Sequence, residues 1–186
     1  MLTLNGWMID ERSYAARLAA SLMDIPLAFA TDRRAETFGP TLTDEMVSCV
    51  GLYEILEHFS RASETGWLWP EGEARQVMKW ALDGIELFSE ARREALAATL
   101  PREAETEPVT FLFREMEDRL SAGAFRDEIW FSGRMIGFVD VILFPVAALA
   151  HDLGVAMDLY PALRRFIRQV RQLPGFIVMP GIASCH

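Results

Sequence analysis

Residues 137–153 read GFVDVILFPVAALAHDL, an apolar run broken early by one carboxylate, Asp140, and later by one proline, Pro145. A helix that is apolar on every face belongs in an interior, so this segment predicts a buried helix with other elements packed around it. The two interruptions argue against a membrane span, which needs about twenty apolar residues. Asp140 stands three residues after Gly137. At that spacing a carboxylate takes the backbone N–H of the residue that caps the helix, as in a capping box. Its charge also suits the positive end of the helix dipole, an effect of roughly 0.3–1 kcal/mol. Gly137 and Asp140 are therefore read as a structural cap, with Gly137 standing where Ser or Thr would complete the box.

The segments around this run divide the chain. From Glu71 onward, three- and four-residue spacing of apolar side chains predicts helices near 71–99, 107–123, 137–153 and 160–172. Between the first two lies a polar linker, PREAETEP, bracketed by Pro101 and Pro108. Before the punctuation ETGWLWPEG the pattern differs. LTLNGWM reads as a strand, and DERSYAARLAASLMDI as a helix with Tyr14, Leu18, Leu22 and Ile25 on one face. Asp10 is its N-cap and Pro26 its stop. PLAFA reads as a second strand, TDRRAETF is too short for a secure element, and GPTLTDEMVSCV reads as two strands about a tight turn. VGLYEILEHFSR is helical again. The expectation is a small α/β domain over residues 1–63 followed by an all-α domain over 71–186.

The formal net charge of −9 disfavours nucleic acid and anionic membranes as partners, because phosphate binding needs concentrated Lys and Arg. The two cysteines are Cys49 and Cys185, the second near the C-terminal end, so a reducing compartment is expected and no structural disulfide. MLTLNGWMIDER lacks a basic region ahead of its apolar residues, so no signal peptide is read there and the cytoplasm is the expected location. His58 and His151 have no neighbouring ligand pattern, and no metal is expected.

Taken together, several stretches carry a resemblance. FSGRMIGFVDVILFPVAAL is similar to a segment of the helical domain of glutathione S-transferases, which has a glycine, a capping residue, an aspartate and then LFP. YPALRRFIRQVRQLPGF resembles that family's YPxLxxWxxRVxxxPGF, and WLWPEGEARQVMKWAL resembles the start of its first long helix. GPTL falls where the family has a cis-proline before a strand, and MLTLNGW with RSYAARLAASLMDIPLAF resembles the first strand and helix of a bacterial branch. The fold this implies is a thioredoxin-like N-terminal domain followed by an all-helical one, usually as a homodimer.

The resemblance also implies a site. Glutathione would serve as co-substrate, its thiol activated by a hydroxyl or thiol near the first helix and its backbone paired beside the cis-proline. On this chain the match puts Asp10 where the activating serine belongs, Ser13 where the branch has cysteine, and Tyr14 on its tyrosine. A carboxylate disfavours thiolate, so Asp10 is read as a cap and Ser13 and Tyr14 as the candidate catalytic hydroxyls. Their structural alternatives are a first-turn surface serine and a core tyrosine. Gly39, Pro40 and Thr41 take the cis-proline position. Ser48 and Cys49 take the place of a Glu-Ser pair at the start of the third helix, which loses the carboxylate. About a dozen residues separate Pro26 from Pro40, so the family's second helix is expected to be lost or reduced to a turn. Trp67, Trp69 and Trp80 flank the domain junction, and Trp7 and Trp80 are candidates for lining a substrate pocket there. The implied activity is addition of glutathione sulfur to a small electrophile. The alternatives are a binding or scaffolding protein without thiol chemistry, or an enzyme that reuses the interdomain cleft without glutathione.

Overall fold

The computed structural model describes residues 1–62, 67, 69–98 and 107–183. Cys185, most of the 101–108 linker and the proposed domain edge at residue 63 lie outside them. The first half holds β1 (Thr3–Gly6), α1 (Glu11–Leu22), β2 (Ala28–Thr31), α2 (Ala35–Phe38), β3 (Thr41–Thr43), β4 (Ser48–Val50) and α3 (Leu52–Ala62). The strands lie in the order β2-β1-β3-β4, with β1 parallel to β2 and the other two pairs antiparallel. The period-2 rule then sorts the side chains. Leu4 of β1 is paired with Phe29 and Leu42, and with Leu42 is fully buried. Ala15, Leu18, Ala19, Ile55, Leu56 and Phe59 of α1 and α3 are likewise fully buried in the same core. Thr3, Asn5, Thr41 and Thr43 fall on the opposite face. That face would be covered by a full second helix, but α2 is a single turn of four residues, as the short connection predicts.

α1 begins where the sequence places its cap. Asp10 is extended, with φ −82° and ψ 125°, and its carboxylate accepts the N–H of Ser13 at 2.7 Å. The helix closes at Leu22, ahead of Pro26, because Asp24 turns the backbone to φ 52°.

The second half comprises α4 (Glu73–Ala97), α5 (Glu107–Ala124), α6 (Phe138–Ala148) and α7 (Pro161–Arg171). α6 is the apolar run, and every residue from Phe138 to Ala147 is buried. α4, α1 and α7 pack around it, and Tyr14 and Phe166 lie against Phe144 with ring centroids 6.1 and 6.3 Å away. The run does not stay one helix to residue 153. It breaks at Leu149 into a 3₁₀ turn, Ala150–Leu153, which Gly154 ends at φ 73°. Trp67 and Trp69 both stack edge-on against Phe138, each at 5.3 Å, and so pack where the halves meet. The architecture is a thioredoxin-like sheet layer followed by a helical bundle, the fold class expected.

Two local expectations fail. The Gly39–Pro40 peptide is trans. The chain turns toward β3 through Gly39 itself, at φ 79° and ψ 169°, a conformation open to glycine and strained for other residues. Ser48 and Cys49 do not start the third helix. They lie in β4, paired with Thr43 and Leu42, and α3 starts after Gly51 at φ 84°.

Candidate functional site

The β1–α1 loop lies where the sheet layer meets α4, and it carries the first of the candidate hydroxyls. Ser13 is fully buried. Its Oγ donates to Asp10 Oδ2 at 2.6 Å and accepts the backbone N–H of Trp7 at 3.1 Å. Gly6 makes room for this, since a Cβ there would meet Ser13 Oγ at 2.7 Å. The serine is therefore not a first-turn surface residue. Its proton is held by the capping carboxylate, and the carboxylate itself is stronger competition for that proton than a thiol. Tyr14 is also fully buried and faces the other way, donating to the carbonyl of Ile177 at 2.7 Å. Burial pushes its phenol up from the ordinary value. Neither hydroxyl is presented to a cleft, because α1 places Ser13 against β1 and Tyr14 in the core.

A network of buried charge joins the two halves instead. Arg92 of α4 donates to the carbonyl of Ile9 at 2.7 Å, to Glu11 at 3.1 Å and to Asp152 at 2.6 Å. Arg12 pairs with Asp10 at 2.9 Å and Glu86 at 3.0 Å, and its other donors hold the carbonyls of Ala35 and Glu36, each at 2.9 Å. Burial raises the carboxyl of Glu11, and the neighbouring Arg92 only partly opposes this. Arg92, Glu11 and Ser89 are functional-site neighbours that sequence reasoning missed. The signal was there in part: Ser89 and Arg92 interrupt the buried stripe Ala81, Ile85, Phe88 of α4 at helical spacing.

Between the loop and α4 lies a small cavity of about 20 Å³, lined by Trp7, Glu11, Glu36, Ser89, Arg93 and Leu96 among others. Trp7 borders this cavity. Trp80 does not. It sits farther toward the start of α4, its indole N–H on Glu115 at 3.0 Å, with Arg119 over its ring at 4.3 Å. A wider and more open hollow of about 300 Å³ lies on the uncovered side of the sheet, lined by Asn5, Arg34, Phe38, Gly39 and Thr41. Gly39 and Thr41 therefore border space, whereas the carbonyl of Pro40 accepts the N–H of Gly51 at 2.9 Å. Ser48 is exposed and Cys49 is a free, half-buried thiol. Burial and the carboxylates of Glu54 and Glu57 push that thiol up, away from thiolate.

Asp140 is where the capping reading puts it. It is completely buried and accepts the N–H groups of Phe131 at 2.8 Å, Ser132 at 3.3 Å and Gly137 at 2.9 Å. Burial raises its carboxyl to about 6 against these donors and the Ser132 hydroxyl. His151 is exposed and pairs with Asp152 at 3.1 Å. Among the described residues no group of three or more His, Cys, Asp or Glu side chains is placed to hold a metal ion, and no helix is long and apolar enough to cross a membrane.

A four-stranded sheet of this order with helices α1 and α3 on one face, followed by a bundle built around a capped apolar helix, defines the glutathione S-transferase fold. Solved structures agree. A glutathione S-transferase from Xanthobacter autotrophicus Py2 superposes with a TM-score of 0.78 at 20% identity, over 97% of this chain and 98% of that one. A possible glutathione S-transferase from Rhodopseudomonas palustris gives 0.73 at 19% identity, over 96% and 97%. FzlA from C. crescentus gives 0.71 at 16% identity, over 99% and 96%. At these identities the likeness is one of fold. No protein-family profile matches the chain, and no curated protein matches it.

Proposed function

We propose that this chain is a glutathione-S-transferase-like binding protein that has given up thiol activation. The observation that carries the reading is the Ser13 hydroxyl, wholly buried and bonded to Asp10 at 2.6 Å. A thiol at the start of α1 would meet carboxylates at Asp10 and Glu11 in place of a proton donor, and like charge disfavours thiolate. At the start of α3 the carboxylate is Glu54, in the first turn, and it is already engaged by the N–H of Val50 at 2.9 Å. The ligand of this reading is a small molecule. Its assembly is a homodimer, supported by apolar side chains left in water on α3 and α5, where Tyr53 is 46% and Phe111 61% exposed. The free thiol of Cys49 fits a reducing compartment such as the cytoplasm.

Calorimetric titration with glutathione, and thiolate absorbance near 240 nm against pH, test this. The expected result is no saturable binding and a thiol pKa equal to that of free glutathione. Saturable binding with a lowered thiol pKa restores the transferase reading, with glutathione adding its sulfur to a small electrophile.

A further inference from the structure

The chain carries more acid than base, with a formal net charge of −9, yet one surface runs the other way. α7 buries Leu163, Phe166 and Val170, and its outer face presents Arg164, Arg165 and Arg168 to solvent. Arg164 pairs with Asp158 at 3.4 Å. Arg165 and Arg168 make no ion pair or hydrogen bond among the described residues. Beside Arg165 lies a hollow of about 40 Å³ between α5 and α7, its other walls being Leu120, Ala124, Ile129, Ala162 and Gln169. No carboxylate lines it. Glu117 is engaged instead by the N–H groups of Ala162 and Leu163 at 2.8 and 2.9 Å, and Glu128 pairs with Arg126 at 2.8 Å. Apolar surface continues past the hollow, with Ile129 47% exposed and Phe125, the neighbour of Ala124, 93% exposed.

We propose that this α5–α7 face docks an acidic amphipathic helix of a partner protein, with one aliphatic side chain in the hollow and two carboxylates on Arg165 and Arg168. Charge complementarity carries the choice of occupant. Two guanidinium groups without partners offer forked donors that match carboxylates in two parallel hydrogen bonds each. Three residues apart on one helix, they stand roughly 4.5 Å apart along its axis. Carboxylates three or four residues apart on a partner helix stand at a similar spacing. The hollow is larger than one water needs and takes the branched end of a Leu or Ile side chain. A helix lying in a groove with one apolar anchor and flanking charges is a common mode of recognition. The excess negative charge of the chain disfavours an acidic partner elsewhere, so the arginines also fix where it lands. Nucleic acid has no aliphatic group for the hollow, and phosphate binding draws on more concentrated cations than these. No residue of the sheet layer lines this face, so the inference goes beyond the small-molecule reading above and does not depend on it.

The test is a titration of the full chain with a synthetic Ala- and Gln-based peptide of about 18 residues, long enough to form a helix alone. The peptide carries two Glu four residues apart with one Leu between them, and binding is followed by fluorescence anisotropy and by ¹⁵N-correlated NMR. Saturable binding is expected, with the shifted backbone signals gathered at Ala124, Ile129 and Arg165. Replacing both Glu of the peptide by Gln should weaken binding roughly five- to ten-fold, the worth of two exposed charge pairs. Arg165→Gln combined with Arg168→Gln should weaken it by a similar factor. Replacing the Leu by Ala should cost roughly ten-fold or more. No saturable binding of the Glu peptide overturns the proposal, as does equal binding of its Gln form, because apolar contact alone is then at work. Tighter binding of a single-stranded oligonucleotide or of phosphatidylglycerol vesicles through the same signals overturns it in favour of that class. The wild-type titration decides the matter even where the double variant fails to fold.

Discussion

Ser132 stands where a capping side chain at residue 137 would stand: a Cβ built on Gly137 would meet Ser132 Oγ at 2.7 Å and Ser132 Cβ at 3.0 Å. The Ser132 side chain fills that space, where its hydroxyl favours the ionised Asp140 carboxyl. Gly137→Ser should therefore destabilise the fold, although it restores the usual capping residue. Ser132→Gly combined with Gly137→Ser should recover most of the loss. Urea unfolding that showed Gly137→Ser to be stabilising on its own would contradict this arrangement.

Asp140→Asn removes a charged acceptor from three backbone N–H groups and sets an amide N–H₂ among them. The expected loss at neutral pH is about 1–3 kcal/mol, read as a lower urea midpoint at unchanged slope.

The same residue gives a pH dependence. Its carboxyl lies at about 6 in the fold, raised by burial from an ordinary 3.8. The folded state therefore holds a proton that the unfolded state releases. This contribution is fully present below about pH 4 and is lost as pH rises through about 6. Compared with Asp140→Asn, which does not titrate, wild type should gain stability on the order of 2–3 kcal/mol as pH falls across that window. A stability difference that stays flat between those pH values would show that the hydrogen bonds outweigh burial.

Removing Arg92 leaves Glu11 and Asp152 without their cation in a buried place. Arg92→Met should cost about 3–5 kcal/mol, the usual penalty for breaking a buried pair from one side. Arg92→Met with Glu11→Gln should cost less than Arg92→Met alone. A double-mutant cycle with no coupling would remove Arg92 as the tie between the halves.

Arg12 holds the single turn of α2 by the carbonyls of Ala35 and Glu36. Arg12→Met should speed amide exchange at Phe38 and Gly39, whose N–H groups close that turn on Arg34 and Ala35. Unchanged protection there, with the fold intact, would mean that the turn stands without the clamp.

Much of the local structure was legible before any coordinates. Asp10 as a cap, the one-turn second helix, the buried run at 138–147 and Asp140 beneath its start all follow from spacing and residue chemistry. The site was legible only in outline. Trp7 borders the small cavity beside α1, while Trp80 lies elsewhere along α4. Ser48 and Cys49 fall in a strand because the helix start was counted from a pattern, whereas Gly51 makes the turn that sets it.

What the chain alone determined is whatever acts over a few residues: helix period, caps, breakers, and the apolar faces that must meet. Only the tertiary structure decided where the Ser13 proton goes, that Ser132 fills the space beside Gly137, and that Arg92 reaches Glu11 across 81 positions of sequence. The physical reason is range. A cap or a periodic face is settled by its own turn of backbone. A buried donor takes whichever acceptor packing brings within about 3 Å, however distant in sequence.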